Sequence, residues 1–157
     1  QTAYDNARRF MDLGASSVKI EGNPVGVREF LISKGIPVCA HHGLLPQTAK
    51  DFHQKGKTEE EARNIVADAK ASDNMGCFEI VLEHIPESLG TLITNQVSAA
   101  TIGIGGGKFT DGQVLVMHDA LGMHLGKNPP FATKFANIYD AAVEGFRKYI
   151  EAVNEKL

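Results

Sequence analysis

At 157 residues, with 43% hydrophobic and 22% charged side chains, the sequence is long enough for one cored domain and too apolar for disorder. Two cysteines exclude a disulfide-built miniprotein, and a formal net charge of -3 leaves no basic footprint for nucleic acid. No apolar run approaches the length of a membrane span.

The sequence opens on Gln1 and enters a helix at once, without a charged and apolar leader. It is therefore expected to come from the interior of a longer protein, or to be the product of a cut or a split gene. Ala3, Ala7, Phe10 and Met11 share one helical face, and Gly14 stops that helix. Val18 and Ile20 alternate with Ser17, Lys19 and Glu21, the pattern of a short strand. Pro24 opens a helix through Lys34 that Gly35 closes, and Ile36 to Ala40 is the next strand. A polar loop from Gly43 to Lys57 leads to Thr58 and Glu61, a capping box. The helix it starts runs to Gly76 with Ile65, Val66 and Ala69 on its apolar face. Phe78 to Glu83 is a third strand, and Pro86 precedes a helix carrying Leu89, Leu92 and Ile93. Thr101 to Gly105 reads as a fourth strand and Val114 to His118 as a fifth. Phe135, Ile138, Tyr139, Ala142, Phe146, Tyr149, Ile150 and Val153 then repeat at helical spacing.

Such alternation makes an α/β chain with a parallel sheet and right-handed crossovers. An open doubly wound sheet and part of a (β/α)8 barrel both satisfy it, as a single domain over residues 1–157. Cys39 and Cys77 sit in apolar contexts and read as buried free thiols in a reducing, cytoplasmic setting.

In either fold, chemistry gathers at the C-terminal ends of the strands. Lys19 and Glu21 stand two apart and share one strand face, as a structural ion pair or as holders of an anion and a metal. His41 and His42 are adjacent and point opposite ways, one to the site and one to a helix. No further His or Cys stands at zinc spacing. His53, His84 and His124 read as surface or loop residues. Glu83 closes an apolar strand, where burial raises a carboxyl pKa and suits it to a general base. The alternative is a capping or salt-bridged glutamate. Gly103, Gly105, Gly106 and Gly107 form either a tight turn or a ligand contact, and Lys108 breaks any dinucleotide fingerprint.

Four segments carry a resemblance. They are Val18-Lys19-Ile20-Glu21-Gly22, the run from Val38 to Gln47 (VCAHHGLLPQ), Val81-Leu82-Glu83, and Ile102 to Gly122 (IGIGGGKFTDGQVLVMHDALG). In this order they resemble the 3-methyl-2-oxobutanoate hydroxymethyltransferase family, over nearly the whole chain. The resemblance implies a (β/α)8 TIM barrel of which this chain supplies strands four to eight. It implies transfer of a one-carbon unit from 5,10-methylenetetrahydrofolate to 3-methyl-2-oxobutanoate through a metal-stabilised enolate, giving 2-dehydropantoate. By the same resemblance Lys19 and His41 bind substrate, Glu21 belongs to a magnesium site (Mg2+ or another divalent cation), and Glu83 is the proton acceptor.

The chain departs from the family pattern at His42, where the family is apolar, and at Leu45, where it has Thr. Its loop from Asp51 to Lys57 is a few residues shorter than the family's Gly-Gly-aromatic-Lys-Val-Gln-Gly run. The first three barrel strands, with two metal-binding aspartates and a substrate-binding serine, are not in this sequence. Five strands cannot close the barrel. An N-terminal half-barrel polypeptide is the expected partner, within a homo-oligomer that is a decamer by resemblance; self-association over the open edge is the alternative. Two other functions stay open: a 2-oxo-acid lyase of the phosphoenolpyruvate/pyruvate barrel group, and an inactive fragment acting only in assembly.

Overall fold

Strand order follows chain order, β1-β2-β3-β4-β5, and every pairing is parallel. The structure is a computed structural model describing residues 2–22 and 24–155. Gln1, on which the sequence was read as entering its first helix, lies outside them. The elements are α1 (Thr2–Asp12), β1 (Val18–Glu21), α2 (Val25–Ser33), β2 (Val38–Gly43), α3 (Glu59–Asn74), β3 (Glu79–Glu83), α4 (Glu87–Thr94), β4 (Ala100–Ile104), β5 (Gly112–Gln113), α5 (Met117–Leu121) and α6 (Ile138–Asn154).

The order decides between the two architectures left open by the sequence. A doubly wound sheet reverses direction at a switch point and carries helices on both faces. Here the order never reverses, so right-handed crossovers stack the helices on one face, as in a (β/α) barrel. The core agrees. Val38, Ala40, Ile80 and Leu82 of the strands pack with Ala7 of α1, Leu31 of α2, Ala69 of α3, and Leu89 and Ile93 of α4. The alternate strand residues Lys19, Glu21, Cys39, His41, Glu79, Val81 and Glu83 occupy the other face, free of the helices α1 to α4. β1 and β5 are the two edges of the sheet.

Local chemistry accounts for the helix ends. Thr58 accepts from the Glu61 N–H at 3.2 Å, and the Glu61 carboxylate accepts in return from the Thr58 N–H, completing the capping box. Both cysteines are buried and free.

Two boundaries differ from the sequence reading. The second strand was read as the apolar run Ile36 to Ala40 with His41 and His42 at its end; it runs from Val38 to Gly43 and holds both histidines. The expected fifth strand, Val114 to His118, does not form. Pairing is confined to Gly112–Gln113, and Met117–Leu121 is helical. The four apolar residues Val114 to Met117 carry no period that separates strand from helix, and the run's neighbours decided it.

By contacts the chain divides into two compact units, Gln1–Val114 and Leu115–Leu157. The first holds the whole sheet. In the second, Gly122 ends α5 in the left-handed conformation, φ +57°. The Phe135 N–H donates to the Ala120 carbonyl at 2.7 Å, and α6 follows from Ile138 rather than from Phe135. No helix among the described residues is long and apolar enough to cross a membrane.

Candidate active site

Strand register sets the site. Lys19 pairs with Cys39, Glu21 with His41, and Gly43 with Glu83, so the four candidate side chains rise along adjacent strands on the helix-free face. Their electrostatics confirm the convergence: both Glu83 and His41 feel the charges of Lys19 and Glu21.

Glu83 is the centre of this group. Its side chain is 13% exposed, and its Oε2 lies 3.4 Å from His41 Nε2. Burial pushes its carboxyl up to about 7; the Lys19 ammonium opposes this, and the Glu21 carboxylate adds to it. Such a group exchanges a proton near neutral pH, where a general base is most effective. It caps no helix, which sets aside one alternative reading. The other, a salt bridge, fails on the charge of its neighbour. His41 is 1% exposed, and burial lowers its pKa, so it stands beside Glu83 as neutral imidazole. Its Nε2 lies 2.8 Å from the Leu44 carbonyl, which assigns the proton to that nitrogen. Its Nδ1 is then a buried acceptor with no hydrogen-bond partner among the described residues. Left unfilled, such an atom carries a desolvation cost.

Lys19 and Glu21 form no ion pair with each other among the described residues. Glu21 instead accepts from the Gln47 N–H at 2.9 Å, which ties the turn after β2 to β1. Lys19 is exposed at its side chain's end of the face. Gly43 closes β2 at φ +93°, and a Cβ there would run into the Glu83 carbonyl, so this glycine lets the two strand ends meet beneath the carboxylate. Among the described residues no group of three or more His, Cys, Asp or Glu could hold a metal.

The remaining candidates sort clearly. His42 faces the helices: its Nε2 lies 2.8 Å from Ser72 Oγ of α3. The opposite orientation of the histidine pair, read from the sequence, is what the strand imposes. The glycine run is a packed turn. A Cβ on Gly90 of α4 would strike the Gly106 carbonyl, and one on Gly106 would lie 2.9 Å from the Leu82 carbonyl. The run lets β4's loop seat against α4 and β3. His53 is exposed in the loop after β2, as expected. His84 lies in the loop between β3 and α4, as read, but it is buried there, 8% exposed, at φ +48°. Its conformation was not legible beforehand, because nothing in residue spacing marks a left-handed position filled by histidine rather than glycine. The Gln47 N–H and the Leu44 carbonyl were also missed, since backbone groups leave no signature in composition.

Comparison with known proteins bears on the same residues. The ketopantoate hydroxymethyltransferase family model matches residues 1–157. The chain is 43% identical to 3-methyl-2-oxobutanoate hydroxymethyltransferase 1 of Zymomonas mobilis, over 99% of this chain and 54% of that protein. It is 43% identical to 3-methyl-2-oxobutanoate hydroxymethyltransferase of Pyrobaculum neutrophilum, over 100% of this chain and 62% of that protein. The corresponding figures for the protein of that name from Idiomarina loihiensis are 44%, 98% and 59%. The chain thus spans rather more than half the length of these curated relatives. With a parallel sheet that never reverses and a match along its whole length, the chain belongs to the ketopantoate hydroxymethyltransferase family.

Proposed function

We propose that this chain carries the proton-transfer half of a hydroxymethyltransferase site, acting on 3-methyl-2-oxobutanoate with 5,10-methylenetetrahydrofolate as one-carbon donor to give 2-dehydropantoate. The observation that carries the reading is Glu83: a carboxyl poised near neutrality, on the helix-free face, beside a neutral histidine and within the field of a lysine.

The chemistry follows from those groups. A 2-oxo acid with one hydrogen on the carbon beside its ketone must lose that proton before the carbon can attack an electrophile. Glu83 as carboxylate accepts the proton. Negative charge then develops on the ketone oxygen, and the Lys19 ammonium supplies fixed positive charge for it and for the substrate carboxylate. His41, neutral and locked by the Leu44 carbonyl, lines the pocket without adding charge, and its unpartnered Nδ1 is an acceptor for a substrate or water hydrogen. Water supplies the hydroxyl oxygen: it adds to the one-carbon unit and releases it from both folate nitrogens at the oxidation level of formaldehyde, leaving tetrahydrofolate. The substrate carbanion bonds to that carbon, and Glu83 gives its proton to the alkoxide that forms.

Glu21 fits a divalent cation such as magnesium as one hard oxygen ligand, held in place by the Gln47 N–H. When bound, the cation would polarise the ketone. One carboxylate is not a full ligand set, so the reading assigns the remaining ligands to substrate oxygens, water and groups beyond the described residues. The barrel that would enclose the site needs eight strands, and this sheet has five. An N-terminal half-barrel polypeptide pairing with the edge of β1, within a homo-oligomer, completes it in this proposal.

The test is Glu83→Gln in the assembled protein, assayed for tetrahydrofolate-dependent transfer. General-base removal is expected to lower kcat by about 100- to 10,000-fold. Activity within threefold of the parent (roughly, a change below 1 kcal/mol in barrier) would retire the assignment.

A further inference from the structure

Among the described residues other than glycine, His84 alone has a positive φ. A residue with a side chain holds that conformation when its surroundings impose it. The surroundings of His84 are specific. Its N–H donates to the Ile104 carbonyl of β4 at 2.9 Å, and its carbonyl accepts from the Lys55 N–H at 3.0 Å. Its buried ring makes a hydrogen bond with the backbone of Phe52. One residue earlier, the Glu83 carbonyl accepts from the Leu44 N–H at 2.8 Å. The Glu83–His84 link is therefore tied to β4, to the turn after β2, and at two points to the loop spanning Phe52 to Lys55.

That loop has little else to hold it. Asp51, Phe52 and His53 are exposed, and among the described residues the Asp51 carboxylate pairs with His53 and Lys55 of the same loop. Firm packing resumes at Gly56, where a Cβ would press into Leu89 and Ile65. The four residues from Phe52 to Lys55 are thus fastened to the rim chiefly through one histidine.

We propose that His84 is a positioning residue: a clasp, ring to Phe52 and carbonyl to Lys55, that holds this loop at the rim next to Glu83 and couples the order of the loop to the placement of the carboxylate. Its bearing on catalysis rests on the reading of Glu83 as the base; the clasp itself does not.

Two variants of the full chain test it. His84→Gly accommodates the left-handed backbone and removes the ring. His84→Asn tolerates that backbone and retains a side-chain N–H donor. The readouts are hydrogen exchange at the Lys55 amide and tryptic cleavage after Lys55, with exchange at the Leu82 amide of β3 as the control for global opening. In His84→Gly the Lys55 readouts are expected to accelerate about tenfold while Leu82 is unchanged. In His84→Asn they are expected to stay within about threefold of the parent. An unchanged Lys55 amide in His84→Gly overturns the clasp. If Leu82 also accelerates there, His84→Asn decides: values near the parent support the clasp, and values matching His84→Gly overturn it. In the assembled protein the same order, Gly well below Asn, is expected in kcat/KM. A parent protein with no transfer activity would remove the proposed reaction and leave the exchange result to judge the clasp alone.

Discussion

His41 and His42 are neighbours in β2 and look to opposite sides of one sheet. On the helix-covered side, His42 finds partners on two helices. Ser72 gives its proton to the Asp68 carbonyl, so its oxygen accepts from Arg28 Nη1 at 2.9 Å and from His42 Nε2 at 2.8 Å. On the helix-free side, His41 keeps a buried nitrogen unused, and Glu83 beside it has a carboxyl raised by burial. Both faces bury polar groups, at similar depth. On the covered face the helices supply the partners of His42, which is the arrangement of a core. The other face leaves capacity over, which is the arrangement of a site waiting for something outside the sheet.

The two faces should also titrate in opposite senses. Burial, with Arg28 and His41 nearby, pushes His42 down to about 3. Its unfolded value is about 6.5. Between those limits the unfolded chain binds a proton that the native chain refuses, so stability is lost as pH falls from 6.5 to 3. The full swing is about 5 kcal/mol. Glu83 behaves the other way. Its native value of about 7 lies above its ordinary value of 4.5, so stability is lost as pH rises from 4.5 to 7. Between 4.5 and 6.5 the two slopes cancel. The largest expected effect is therefore His42→Leu: urea titrations at pH 7 and pH 4 should show the parent losing several kcal/mol more than the variant between the two (roughly 1.4 kcal/mol for each unit below 6.5). Parallel curves would mean His42 is not buried neutral, and the contrast between faces would dissolve.

Glu83→Gln comes next in size. A neutral amide avoids the burial cost of a carboxylate, so at pH 8 the variant should be more stable than the parent by about 3 kcal/mol, with the gain vanishing below about pH 4.5. Activity should move the other way. The parent's kcat/KM should rise with pH through about 7 as the base ionises, and the variant should lack that limb. Gaining stability while losing turnover is the mark of a group kept for chemistry. A destabilised Gln variant at pH 8 would place Glu83 among structural carboxylates instead.

This contrast was half legible in the sequence. The parity that puts Lys19, Glu21, His41 and Glu83 on one face is written in strand alternation, and so is the split between His41 and His42. What fills the opposite sides of those residues was not. Ser72 lies 30 residues from His42, and Arg28 lies 14 before it, so only the crossovers bring them together. The choice between barrel-like and doubly wound sheets needed strand order, which alternation of elements leaves undetermined. Val114 to Met117 looks extended by composition, yet the chain leaves the ladder after Gln113, because pairing depends on the neighbour strand rather than on apolar residues in the run. His84 was illegible for a different reason: its conformation is imposed by β4 and the loop ahead of α3, neither of which is local to it.

The smallest effect isolates the covered face without touching the other. The Glu61 carboxylate accepts from the Gly56 and Lys57 N–H groups, both at 3.2 Å, as well as from Thr58. Thr58 returns one bond to the Glu61 N–H. Thr58→Ala removes that single return bond and leaves the carboxylate's three in place, so the loss should be about 1 kcal/mol, or roughly 3 °C in Tm. Because α3 packs behind β2 and β3, the loss should appear in stability alone, with kcat and its pH dependence unchanged per folded molecule. A fall in kcat would show that the frame behind the sheet reaches Glu83, and that the two faces are less independent than their hydrogen bonds make them.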